Sequence, residues 1–174
     1  MAIDIIVNDS SCLIDLRKCG LLTTALLLPF RFVVALPLLT AELHDFNAAD
    51  WDDLKARGLE VIDLSPDQVG RAFALMGLYP GLSPYDCFSL ALAETTEGAM
   101  LLTGDQQLRT RADGLGVVVH GVLWISDEIE KAATMPLADL ADALAILEAD
   151  PLVFLPPAEV RSRIEQLQKK ARGK

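Results

Sequence analysis

Four short apolar runs, residues 3–7, 32–36, 99–103 and 117–119, punctuate the chain, and stretches with helical spacing separate them. Runs of Ile, Val and Leu without polar alternation belong to strands buried on both faces, as in a parallel sheet. Residues 59–64 form a weaker fifth candidate. Parallel strands must be joined by crossovers, and the intervening stretches are long enough to be helices. The pattern predicts an α/β fold: a three-layer α/β/α sandwich with a mainly parallel central sheet.

Local signals place the helices. Ser10 or Ser11 can cap the first, and Gly20 can end it. Thr40 opens a helix through about Ala49, and residues 51–57 form another, stopped by Gly58. Ser65-Pro66 starts a helix running to about Leu78, and residues 79–82 make a turn. Ser83-Pro84 then opens a helix with Pro at its first position. A short helix begins near Gln106, and from about Leu123 the chain reads as helical to its end. Residues 1–130 read as one unit, with residues 131–174 as a C-terminal helical extension on or near it. That extension either covers the sheet or holds a partner.

Of the 174 residues, 52% are apolar and 23% charged, enough to build one sizeable core. The three cysteines, Cys12, Cys19 and Cys87, are odd in number and lack a CxxC pair, so neither a disulfide framework nor a zinc–thiolate site is expected. They read as small buried residues in a reducing compartment. The N-terminus lacks a basic segment ahead of its apolar run, so the expected location is the cytoplasm. Residues 21–39 imitate a membrane span, but Pro29, Arg31 and Pro37 interrupt them; a short buried helix, a turn and a buried strand fit better. The net charge of −10 and pI near 4.5 argue against a protein that binds nucleic acid mainly through phosphate contacts. A carboxylate cluster loaded with metal ions would soften that objection.

Ligands of open parallel sheets gather at the carboxyl ends of the strands. Acidic residues fall there repeatedly. Asp9 follows the first strand, Glu42 lies in the helix after the second, Asp86 in the first turn of its helix, and Asp105 just after the run 99–103. Such carboxylates repel one another unless divalent cations intervene. Mg²⁺ and Mn²⁺ prefer oxygen ligands, and one or two such ions can activate water and stabilise the leaving oxygen of a phosphodiester. Each acid also has a plainer role. Asp86 completes a capping box with Ser83, Glu42 sits in a first turn, Asp105 suits an N-cap, and Asp9 suits an Asx turn. The argument for a site is their common position at one end of successive elements.

Residues 5–16 (IIVNDSSCLIDL), 39–43 (LTAEL), 82–93 (LSPYDCFSLALA) and 101–109 (LLTGDQQLR), in this order, resemble the four acidic motifs of PIN domains, the PilT N-terminus-like nucleases. The resemblance covers residues 3–124. Gly121-Val122-Leu123-Trp124 resembles the toxin subset, similar to the VapC group, in which such a segment precedes C-terminal helices. The resemblance implies a Mg²⁺- or Mn²⁺-dependent ribonuclease, often dimeric and often the toxin of a toxin–antitoxin pair. Asp9, Glu42, Asp86 and Asp105 would be its metal ligands, with Ser11 and Thr103 as supporting polar residues. RNA would be the substrate, an antitoxin protein and a second copy the partners, with no membrane involved.

Rival enzymes lack their signatures. No GxGxxG or GxxxxGK[ST] motif is present, nor a GxSxG elbow, and His44-Asp45 has only His120 to join it in a histidine-rich metal site. The rival from another class is a non-catalytic PIN-like binding module acting through protein–protein complexes. The basic cluster Arg161, Arg163, Lys169, Lys170, Arg172 and Lys174 reads as a solvated helix face or an RNA contact.

Overall fold

A computed structural model describes residues 4–41, 43 and 46–173. Residues 1–3, Glu42, His44-Asp45 and Lys174 lie outside the described residues. The apolar runs become β1 (Ile5–Asn8), β2 (Arg31–Ala35), β3 (Glu60–Ile62), β4 (Ala99–Leu102) and β5 (Val118–His120). They form one sheet in the order β3-β2-β1-β4-β5, with every neighbouring pair parallel. The central strands β1, β2 and β4 are almost wholly buried, which explains their continuous apolar sequence.

Strand order reverses at β1. The chain leaves β1 toward β2 and β3, then returns to lay β4 on the other side of β1. Right-handed crossovers place the helices of the two halves on opposite faces. On one face, α1 (Ser10–Lys18) meets α2 (Leu22–Ala25), α8 (Val122–Ala132) and α9 (Leu137–Ala149). On the other, α6 (Pro84–Glu94) packs on β1, β2 and β4 and against α5 (Pro66–Leu78) and α7 (Gln106–Gly114). Five of the last eight residues of α6, Cys87 and Leu90 to Ala93, are buried apolar groups, as a central layer helix requires. Two parallel hydrogen bonds from Arg71 to Glu94, 2.6 and 2.7 Å, clamp α5 to α6.

Several local expectations need correction. The helix expected from Thr40 to Ala49 is two helices, α3 (Leu36–Ala41) and α4 (Ala48–Ala56). Asn47 ends the earlier reading: its side chain accepts from the Asp50 amide while Asp50 accepts from the Asn47 amide, both at 3.0 Å. Phe46 stacks on Trp51 with ring centroids 4.9 Å apart, the staple that accompanies such a cap. Leu36, expected as strand, therefore opens α3. The cap of α1 is Asp9, and Ser10 and Ser11 are already helical. Gly20 and Gly58 follow α1 and α4 with φ of +74° and +107°, a conformation that glycine adopts without strain.

Beyond β5 the chain is helical, as expected. α10 (Pro157–Arg172) packs on α9 and is tied to α8 by Arg163. The Arg163 guanidinium donates to Glu130 at 2.6 Å, to the Ser126 carbonyl at 3.0 Å and to the Ser126 hydroxyl at 3.1 Å. No helix among the described residues is long and apolar enough to cross a membrane. Residues 21–39 resolve into α2, β2 and the start of α3. All three cysteines are free and buried.

Candidate functional site

The reversal of strand order at β1 leaves a crevice at the carboxyl ends of β1 and β4, where ligands of such sheets bind. Asn8 of β1 is level with Leu102 of β4, so Asp9 and Thr103 emerge side by side. Asp9 is only 2% exposed. It occupies the N-cap position of α1, yet its side chain makes no capping bond. Its Oδ2 instead accepts from the Ser11 hydroxyl at 2.7 Å and the Thr103 hydroxyl at 2.9 Å. The Asp105 amide donates to Thr103 Oγ1, and the Gly104 amide to Ser11 Oγ, both at 3.0 Å. One network thus spans the ends of β1 and β4 and holds the Asp9 carboxylate in one orientation.

Asp105 caps α7, its Oδ1 accepting from the Leu108 amide at 2.7 Å. Asp86 closes the capping box of α6: its Oδ2 accepts from the Ser83 amide at 2.7 Å, and Ser83 Oγ accepts from the Asp86 amide at 3.1 Å. Both acids therefore do the capping work that spacing anticipated. Each uses one oxygen for it, and the other has no hydrogen-bond partner among the described residues. Burial pushes the Asp86 carboxyl above its usual range, and the charges of Asp9 and Asp105 push it the same way, against the lowering pull of the Ser83 bonds. The structure thus brings Asp9, Asp86 and Asp105 into one electrostatic neighbourhood with Ser11 and Thr103 between Asp9 and Asp105. Glu42 lies outside the described residues.

The donor set is all oxygen and carries several negative charges, which suits a hard divalent cation and not a soft one. Among the described residues, no three acidic, His or Cys side chains come close enough to ligate one ion together.

Two residues that the sequence reading passed over border the site. Asp15 lies one helical turn beyond Ser11, and a Cβ placed on Gly104 would sit 3.6 Å from Ser11 Oγ and 3.8 Å from Asp15 Oδ2. Burial raises its pKa to about 6, with Asp150 adding to the rise and Lys18 opposing it. The i, i+4 spacing of Ser11 and Asp15 was the available signal. Arg109 donates to the Thr103 carbonyl at 3.0 Å. His120, stacked on Trp124 at 4.8 Å, has its pKa lowered by burial and by Arg109.

A PilT N-terminus domain protein from the hyperthermophilic archaeon Sulfolobus solfataricus P2 resembles this structure with a TM-score of 0.48 and 20% identity, over 75% of this chain and 93% of that one. A search of curated proteins gives no match. The family model DUF3368, described as a PIN domain, matches residues 5–169, nearly the whole chain. The chain belongs to the PIN-domain family.

Proposed function

We propose that this PIN domain, from a family whose members are generally nucleases using divalent metals, is a Mg²⁺- or Mn²⁺-dependent endoribonuclease. The observation that carries the reading is the buried Asp9 carboxylate, held by two hydroxyls beside Asp86 and Asp105 at the strand-order reversal. A capping or packing role gives no reason to bury an acid and then surround it with others, whereas cation binding does.

Asp9, Asp86, Asp105 and Glu42 would hold the metal. A bound divalent cation supplies activation of the attacking water and charge neutralisation on the phosphodiester. The chain's own residues do the positioning. Ser11 and Thr103 fix the orientation of Asp9. The caps at Ser83 and Leu108 fix Asp86 and Asp105 at the first turns of their helices.

The finer assignment is a toxin of a toxin–antitoxin pair, acting on cytoplasmic RNA as a homodimer and restrained by an antitoxin protein. Its support is the resemblance of residues 121–124 to the toxin subset and the helical extension that follows them. The test is cleavage of a panel of labelled RNAs and single-stranded DNAs with Mg²⁺, Mn²⁺ or EDTA, beside Asp9→Asn. Metal-dependent RNA cleavage that the variant lacks is expected. An Asp9→Asn protein that cleaves as well as the wild type would sink the assignment and favour a non-catalytic binding module.

A further inference from the structure

A cleft of about 1030 Å³ opens directly beside the acidic edge. Thr103, Gly104 and Asp105, at the end of β4 beside Asp9, line it. The connection between α9 and α10 also lines it, contributing Val153, Phe154 and Leu155. Phe154 is 85% exposed. Leu152, two residues before it, is 74% exposed, so this connection presents two neighbouring apolar side chains to solvent.

The connection that presents this ring is held in place. Asp150 accepts from Lys18 of α1 at 2.8 Å through Oδ2, and from the Leu152 amide at 2.8 Å through Oδ1. Pro156 and Pro157 stiffen the far side. The same cleft is lined by donors and acceptors of several kinds: Asp15, Gln106, Gln107, Arg109 and His120. An apolar ring and mixed hydrogen-bonding groups lining one cleft suit a flat heterocycle with polar edges.

Charge decides between modes of binding. With a net charge of −10, this protein cannot gain much affinity by neutralising phosphates. Stacking is the main sequence-tolerant source of affinity that remains. We propose that this cleft seats an unpaired nucleobase of a single strand, stacked on Phe154, next to the phosphodiester presented to the acidic edge. The inference deepens the nuclease reading and rests on it for the nature of the strand.

The test uses the full chain carrying Asp9→Asn, in Mg²⁺, with 5′-labelled octaribonucleotides followed by fluorescence anisotropy. Single strands bind, and a duplex of the same sequence binds more weakly, because its bases are already stacked. Adding Phe154→Ala weakens single-strand binding by about tenfold, the scale of one lost base stack. Phe154→Trp retains binding, and its indole fluorescence is quenched on titration. The ring is exposed, so neither change threatens the fold. Binding also falls only weakly with salt, and Phe154→Ala leaves that slope unchanged.

The proposal is overturned if Phe154→Ala binds as tightly as its parent, if single strands do not bind at all, or if the change affects only capture of a protein. Failure here is separable from failure of the nuclease reading. RNA cleavage by the wild-type chain with a KM indifferent to Phe154→Ala removes the base seat alone. Phe154-dependent binding by a chain that never cleaves RNA removes the nuclease reading alone.

Discussion

Asp9 is a buried carboxylate whose orientation depends on two hydroxyls, so its neighbours are the sensitive points at the residue scale. Thr103→Val keeps the shape and removes one donor. It should lower stability by about 1–3 kcal/mol, measured by urea denaturation, because the carboxylate loses a charge-assisted hydrogen bond in a buried place. Asp15 makes a prediction with a definite sign. Its folded pKa of about 6 lies above the ordinary carboxyl value of 3.8, so the folded state holds a proton that the unfolded chain releases. Below both values the group contributes nothing. As pH rises between them the fold loses stability, and the penalty is complete above about pH 6. Asp15→Asn should therefore raise the melting temperature at pH 7.5 and make little difference at pH 4. After allowance for its partial exposure, the gain at pH 7.5 is on the order of 1–2 kcal/mol. A gain that is equal at both pH values would contradict this account. The thiols behave alike. Burial pushes Cys12 well above the ordinary thiol range and Cys19 and Cys87 up to about 11. None of the three should react with a thiol reagent in the native protein at pH 8, and all three should react in guanidinium.

Elements differ in how plainly the sequence announced them. The central strands were legible because burial on both faces leaves no alternation to misread, and α5 and α6 because Ser65-Pro66 and Ser83-Pro84 combine a cap with proline at the first helical position. The break between α3 and α4 was not legible. Residues 40–49 carry no Gly or Pro, and the cap that makes the break is Asn47 paired with Asp50, a weaker signature than Ser paired with Glu. Of the candidate site, Asp9, Asp86 and Asp105 were singled out through their order along the chain; Glu42, singled out with them, lies outside the described residues. Asp15 and Arg109 were not singled out, because their relevance depends on how α1 and α7 face the crevice. The helical extension buries an apolar face and is tied to α8 by ion pairs from Arg163 and Lys170 to Glu130. Arg163 is 11% exposed and ties α10 to the carbonyl of Ser126 and the carboxylate of Glu130. Arg163→Ala should cost about 2–4 kcal/mol, because it strands partly buried partners. Amide hydrogen exchange should show α10 protected less than β1 and β4. Equal protection throughout would mean that the extension is held by its apolar face alone.

At the scale of the molecule, an acidic protein gathers its acids where the strand order of its sheet reverses, and it uses them twice. Asp86 and Asp105 start α6 and α7, and they stand beside Asp9 in the crevice. The central claim is that the second use is the functional one. Asparagine separates the two uses, since its amide oxygen can still accept the capping amide while its charge is gone. The decisive measurement is Mn²⁺-dependent RNA cleavage by Asp86→Asn and Asp105→Asn, with melting temperatures recorded alongside. The account predicts folds as stable as the wild type, or slightly more so with the repulsion relieved, and no cleavage from either variant. Full cleavage by both Asn variants would contradict it and leave these acids as helix caps alone.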